Sequence, residues 1–442
     1  MRGNQARWRR IGVILGAIAV AAIASPTASA ASTILFVARG NPACSDAGPG
    51  TSAKPFCKIT AAAKKVTAGG TVQVRGGTYP ESVTVRSSGT AAAPITFTAA
   101  PGASVTIRGG SDGFYLSDRR WVTINGFNIT DTTGYGLAVN RSSHITLSNN
   151  HVSFSGLPAS GFTKYGIRLN VVTDSLVSHN TVDHNTNAGI GLVSDSTRNR
   201  VIGNVSFRNA EGYQRAAAGI HLYDAPANTV AANISHDNED SGINIYPGSS
   251  GCLVYDNVTY NNGDHGIDDS FAANATIVAN TVYNNVAAGI NVEGGSTGAT
   301  LANNISVDNG IASPRTHSDI RVEHGSTAGT TMDYDLVNLS TPDTLLIWDS
   351  VGYKALAAFQ TASGQEAHGL QADPRWVDPT SGDFRLLGGS PAIDSANSAA
   401  PGQPALDVYG DPRVDDPATP DTGAGPVTFA DRGAFEYRPE AP

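Results

Sequence analysis

Short apolar runs of three to five residues, each flanked by polar turns, recur along most of the 442-residue chain. Between about residues 114 and 310 they lock into a repeat marked by glycine followed by isoleucine or leucine. The glycines are Gly136, Gly166, Gly189, Gly219, Gly242, Gly266 and Gly289, at spacings of 30, 23, 30, 23, 24 and 23 residues. A nearly fixed period in this range marks a stacked repeat architecture. The runs are too short for helices and carry no helical period, so each repeat reads as one coil of a parallel β-helix.

Alternation after each glycine gives the register. The residue after the glycine and the residue two further on face the core, and the one between them faces out. Read across the coils, the outward column is Ala138, Arg168, Gly191, His221, Asn244, Asp268 and Asn291, and the next is Asn140, Asn170, Val193, Tyr223, Tyr246, Ser270 and Glu293. Rungs about 4.8 Å apart turn these columns into a polar, aromatic stripe suited to a sugar chain. Two asparagine columns hold the same register: Asn150, Asn180, Asn204, Asn233, Asn257, Asn280 and Asn304, and Asn185, Asn209, Asn238, Asn262, Asn285 and Asn309. Stacked amides bond along the coil axis, so these asparagines are read as turn-builders without catalytic weight. The two long spacings place extra residues at 155–164 and 210–217, before the Gly-Ile step. Insertions in solenoids gather on one face, so Lys164, Tyr165, Glu211, Tyr213 and Arg215 are expected to wall the stripe.

The ends depart from the period. Residues 59–66 have the apolar spacing of a short helix, suited to plugging the open first coil. Residues 315–442 read as the last coils and a loop-rich cap laid back along the helix, with a helix over 355–362. The acidic loop 407–421 offers donors for a structural ion, but its acids read first as solvated turns. The expected divisions are a leader over 1–30, an N-terminal cap and first coils over 31–110, repeats over 111–314, and last coils and cap over 315–442.

The leader has Arg2, Arg7, Arg9 and Arg10, an apolar run over 11–23 and Ala28-Ser-Ala30, the pattern of a secretory signal peptide rather than a membrane span. Without it, 25 basic side chains face 38 acidic ones, a net charge near −13. That excludes nucleic acid as the expected partner. Cys44 and Cys57 can pair in an oxidising compartment, and Cys252 reads as a buried filler. The expectation is a secreted monomer with no membrane partner.

The candidate chemistry gathers in two successive coils, Asn233-Ile-Ser-His-Asp-Asn-Glu-Asp-Ser-Gly-Ile-Asn-Ile-Tyr246 and Asn257-Val-Thr-Tyr-Asn-Asn-Gly-Asp-His-Gly-Ile-Asp-Asp-Ser270. Asp240 and Asp264 stand two residues before equivalent glycines, and Asp268 follows just past the turn. Three converging carboxylates bind a cation or take up a proton, and oxygen-only donors favour calcium. Asp269 stands in a column that is otherwise apolar: Val139, Leu169, Leu192, Leu222, Ile245 and Val292.

Gly48-Pro-Gly-Thr-Ser-Ala-Lys-Pro-Phe56, Gly76-Gly-Thr-Tyr-Pro-Glu81 and Gly89-Thr-Ala-Ala-Ala-Pro-Ile95, with the Asn-x-Val repeats, resemble the secreted pectate-lyase-like right-handed β-helix proteins. The resemblance implies an all-β fold: a single-stranded right-handed parallel β-helix with a short N-terminal capping helix and a C-terminal cap. The acid spacing is similar to that of family nine polysaccharide lyases, in which one Asp, then an adjacent Asp pair a coil later, then an Asp three residues on hold calcium. The matching positions are Asp240, Asp264, His265 and Asp268, so histidine replaces one expected Asp. Those lyases use a lysine base, yet this chain has none between Lys164 and Lys354, and Lys164 lies about four rungs from Asp264.

The resemblance therefore implies a calcium-dependent lyase cleaving an acidic, uronate-containing polysaccharide by β-elimination. Asp240, Asp264 and Asp268 would hold Ca2+, and His265, His221 or Tyr246 would stand in for the base. Lys164, Arg168, Tyr213, Arg215, Tyr223, Asn244, Asn291 and Glu293 would bind sugar. Two other readings stay open: a glycoside hydrolase using Asp269 as acid with Asp240, Asp264 or Asp268 as partner, and a glycan-binding surface protein without catalysis.

Overall fold

The computed structural model describes residues 33–156, 164–211, 217–311 and 313–439. Each coil lays down up to three short strands that hydrogen-bond in parallel to their counterparts one coil later. Among the described residues, only strand pairs near the C-terminus are antiparallel, Leu346–Trp348 with Val351–Tyr353 and Trp376–Asp378 with Asp383–Leu386. One face carries Leu137–Ser148, Ile167–Thr173, Ile190–Val193, Ile220–Tyr223, Ile243–Ile245, Ile267–Ser270, Ile290–Glu293 and Ile320–Val322. The long strand Leu137–Ser148 runs on into a second face, a stack that starts at Ile34–Val37, passes through Arg120–Asn125 and Leu176–Ser178, and ends at Thr331–Asp333. The third face is a separate 12-stranded sheet from Gly77–Tyr79 to Leu370–Gln371. The chain is thus an all-β parallel β-helix, as its repeat implies.

Inward positions on the three faces fuse into one apolar column, built of Val, Ile and Leu with aromatic layers at Phe97, Phe114 and Phe127 near the N-terminal end. The first coil is covered by Ile59–Ala63, which buries Ile59, Ala62 and Ala63. Its free N-terminal amides, at Ile59 and Thr60, donate to the Glu81 carboxylate at 2.8 and 2.9 Å, the favourable place for an anion on a helix. The helix is shorter than the expected 59–66, since the chain turns off toward Gly69 and Gly70. Cys44 and Cys57 are joined by a disulfide, and Cys252 is buried.

The asparagine columns are hydrogen-bonded ladders. In each, the backbone N–H and Nδ2 of one Asn donate to the Oδ1 of the next, as in Asn257 to Asn280 at 3.0 Å for both bonds. Both ladders end on buried aspartates: Asn304 donates to Asp335, and Asn309 to Asp319. The residue before a ladder Asn has positive φ even where it is not glycine, as at His179 (54°), Ala232 (53°) and Ala279 (55°). A left-handed alanine is disfavoured by about 1 kcal/mol, which the paired amide bonds offset. The glycine step has its own reason. A Cβ on Gly266 would lie 2.7 Å from the Gly289 carbonyl and 2.8 Å from Asn285 Nδ2.

Beyond the last coil, Leu356–Ser363 covers the C-terminal end with Leu356 and Phe359, one residue off the expected helix. The tail then returns along the third face, where Phe384, Ile393, Ala434 and Phe435 pack on Val258, Ile305 and Leu336. Arg432, buried, fastens it by donating to the backbone carbonyls of Asp335, His368 and Ser395. The expected leader lies outside the described residues, and among those residues no helix is long and apolar enough to cross a membrane.

Candidate active site

Strand pairing sets the outward column rung by rung: Ala138, Arg168, Gly191, His221, Asn244, Asp268 and Asn291 are successive Cα partners, and Arg321 continues the row. The gap left by Gly191 is filled. A Cβ there would meet the Tyr165 ring at 2.7 Å, so Tyr165 lies over the glycine. Its ring stacks on Tyr135 on one side and on His221 on the other, with centroids 6.3 and 6.2 Å away. His221 also stacks on Tyr223 and meets Tyr246 edge-on at 5.3 Å. Lys164 and Arg168 sit over the Tyr135 ring at 4.8 and 5.2 Å, and Arg168 donates to Asn140 and Asn170. One half of the stripe is therefore a row of rings and bases. Tyr213 and Arg215, expected in the wall, lie outside the described residues, as do 157–163 of the first insertion.

The other half is acidic and closely covered. Asp240, Asp264, His265, Asp268, Asn244 and Asn291 are all buried, Asp264 and Asp268 at 3% exposure, so the acids do not stand on an open surface as their turn positions suggest. Asp268 accepts from Asn291 Nδ2 at 2.8 Å. Asn291 in turn accepts from Arg321, which also pairs with Glu293 (2.7 Å) and Glu323 (3.1 Å). Burial pushes the Asp240 carboxyl up to about 7, with help from the charges of Asp264 and Asp268 and a hydrogen bond to Asp264. Burial likewise lifts Asp268 to about 6. The same acids, with burial as the main cause, drive the Tyr246 phenol upward.

His265 Nδ1 lies 3.0 Å from the Ala288 carbonyl. A carbonyl only accepts, so Nδ1–H donates to it, and Nε2 lies 3.6 Å from Asp264 Oδ1. The ring is turned to the acids, not to the stripe. His221 is half-buried, and burial holds its pKa down at about 4. Asp269 takes the inward register, opposite Ile245 and Val292, with no bulge. It is 0% exposed and neither carboxyl oxygen has a hydrogen-bond partner, so burial holds it well above the usual carboxylate range.

Sequence reasoning missed Arg315. Its guanidinium reaches Asp264 Oδ1 at 2.5 Å and the Gly263 carbonyl at 3.3 Å. It sits in a third insertion, 310–318, which follows ladder residue Asn309 as the 210–217 insertion follows Asn209. That shared entry point was the available signal. Elsewhere among the described residues, Asp394, Asp415 and Asp421, in the C-terminal cap, bring one ligand atom each within 4.8 Å of the others. At the stripe, the raised pKa of Asp240 and the charge of Arg315 offset the crowding. The donor chemistry fits a hard cation, being three buried carboxyls, two of them lifted by burial. Such an ion and Arg315 would compete for Asp264. A surface concavity in the C-terminal cap, lined by Val377, Arg385, Tyr409 and Tyr437 among others, shares none of these residues.

This geometry defines a parallel β-helix with a polar groove along one sheet. The model of the Pel9A-like right-handed β-helix region matches residues 36–322, and the chain belongs to that family. The pectate lyase Pel9A has a similar structure, with a TM-score of 0.62 at 18% identity, over 93% of this chain and 98% of that one. XylC, in complex with xylose, is similar at 0.60 and 12% identity, over 91% and 99% of the two chains. An uncharacterized protein of Bacillus subtilis, YwoF, is 36% identical over 124 residues, 24% of this chain and 26% of that protein. The chain thus spans about a quarter of the length of that relative.

Proposed function

We propose that this protein is a secreted lyase that cleaves a uronate-containing polysaccharide by β-elimination along the outward stripe. The observation that carries the reading is the juxtaposition of a buried acid cluster at Asp240, Asp264 and Asp268 with the His221–Tyr246 pair, on one face of a Pel9A-like β-helix. Calcium held by the three acids would neutralise the uronate carboxylate and acidify its C5 proton. His221, open to the groove and neutral above about pH 4, takes that proton. The C5–H electrons form the C4=C5 double bond, and the C4–O bond breaks. Tyr246, whose phenol holds its proton beyond the ordinary range, donates it to the departing oxygen. His265 acts through the acids it faces, as a further donor to the cation or by positioning Asp264. Arg168, Lys164, Tyr223 and Glu293 bind sugar on either side, while Asn244 and Asn291, at 1% and 0% exposure, lie beneath the surface and support the acids.

The hydrolase reading loses its proposed acid, since Asp269 has no path to substrate, but Asp240, half-protonated near neutral pH beside Asp264, supports a version of it. A panel of uronate polysaccharides, followed by ultraviolet absorbance and reducing ends with and without chelator, separates the two. Absorbance that rises with the reducing ends supports elimination, and reducing ends without it support hydrolysis.

A further inference from the structure

The C-terminal cap carries a second acid cluster, unrelated to the stripe. One carboxylate oxygen from each of Asp394, Asp415 and Asp421 lies within 4.8 Å of the others. Asp394 is 0% exposed and its Oδ1 has no hydrogen-bond partner. Its Oδ2 has only a long bond, 3.3 Å, from the Asp416 amide. Asp415 and Asp421 are exposed and close the outer side. Asp421 accepts from the Thr428 hydroxyl at 2.7 Å, and the neighbouring Asp416 is spent on its own turn, bonded to Ala418 and Thr419. Among the described residues no Lys, Arg or His forms an ion pair with any of the three; the nearby Arg413 is taken by Glu436 and Asp256, and Arg432 by backbone carbonyls. A buried carboxyl beside two more carboxylates, one of its oxygens without any donor and with no base paired to it, lacks a positive partner.

We propose that Asp394, Asp415 and Asp421 hold a divalent cation that clasps the 415–423 loop onto the cap. All-oxygen donors, with an exposed outer side where water completes the shell, select calcium over magnesium, which demands a tighter octahedron, and over zinc, which prefers nitrogen and sulfur. The loop is already laid against the same point: the Thr422 and Gly423 amides donate to the Asp394 carbonyl at 2.8 and 3.0 Å. The Asp394 amide donates to Asp431 at 2.8 Å, next to the Arg432 staple that reaches the last coils. The ion therefore tightens the tail where it returns along the third face.

The test uses the chain without its leader, in the Asp240→Asn background so that the stripe acids contribute less. Thermal unfolding and limited proteolysis are compared in 1 mM calcium, 1 mM magnesium and chelator, with and without Asp415→Asn and Asp421→Asn. Calcium is expected to raise Tm by about 3 °C, the effect of a ligand at roughly 100 times its Kd on a chain this long. Calcium, far more than magnesium, should also slow cleavage mapped to 415–423 at least tenfold, and the double substitution should abolish both effects. Cleavage within 415–423 that is indifferent to calcium, or a calcium response that survives the double substitution, overturns the clasp. The mapped cleavage decides the question without the double variant, should that variant fold poorly.

Discussion

Arg315 Nη2 lies 2.5 Å from Oδ1 of Asp264, a buried carboxylate whose equivalents in the repeat precede the glycine step of each coil. The pair ties an insertion that breaks the period to the acid that the period places. It also supplies part of the positive charge that a bound cation would supply in full. Arg315→Ala is expected to cost about 2 kcal/mol in chelator, less than for a fully buried pair because the arginine is 28% exposed. The same substitution is expected to tighten calcium binding, since a competitor for Asp264 is gone. Calorimetry of the variant against the parent reads both signs together. Weaker calcium binding would mean that Arg315 organises the acids and does not compete for them.

The ladders make a separate prediction. Asn280 Oδ1 accepts from both the backbone and side-chain nitrogens of Asn257, while its own Nδ2 donates to Asn304 and to Val254 O. Asn280→Ala leaves the buried Asn257 backbone N–H without its acceptor, while Asn257 Nδ2 keeps the Val230 and Tyr255 carbonyls, at about 2 kcal/mol. Chemical denaturation should show that loss with unchanged cooperativity. A near-neutral result would mean that the coil relaxes around the missing amide.

Folded-state pKa values of about 7 for Asp240, and about 6 for Asp268 and Asp335, set a pH dependence. All three are raised from 3.8, so across the window from about 4 to 7 the folded chain holds protons that the unfolded chain has released. Stability from these groups is present at low pH and is lost as pH rises through the folded values. In chelator, Tm should fall by roughly 5 °C between pH 5 and pH 8. Calcium should flatten that fall, because it binds Asp240 and Asp268 better as their protons leave. A Tm that rises over the same range in chelator would contradict the burial of these acids.

The two histidines should separate kinetically. His221→Ala is expected to lower turnover by ~10²-fold or more with little change in calcium affinity, the usual scale for a lost general base. His265→Ala should act mainly through the cation, and extra calcium should restore part of its loss. The reverse pattern would move the base to His265.

The repeat made much of this legible in advance. The outward column from Ala138 to Asn291 and both asparagine ladders follow from spacing alone, because a coil that stacks on itself carries its register in the sequence. Asp269 could be placed inward but not assigned its state, which depends on whether the strand bulges. Its pairing with Val292 shows that it does not. Arg315 and the Asp394–Asp415–Asp421 cluster were hidden for a different reason. They lie on segments outside the period, where proximity is set by tertiary docking, and only the entry point of the 310–318 insertion could be read from spacing.

The central claim is elimination on a uronate chain, and one assay tests it most directly. The purified chain is incubated with galacturonan, alginate and glucuronoxylan while ultraviolet absorbance and reducing ends are counted together. The account predicts that on one of these each new reducing end is matched by one unsaturated, absorbing end, that chelator abolishes both, and that added calcium restores them. Reducing ends that accumulate without absorbance, or cleavage indifferent to chelator, would contradict it.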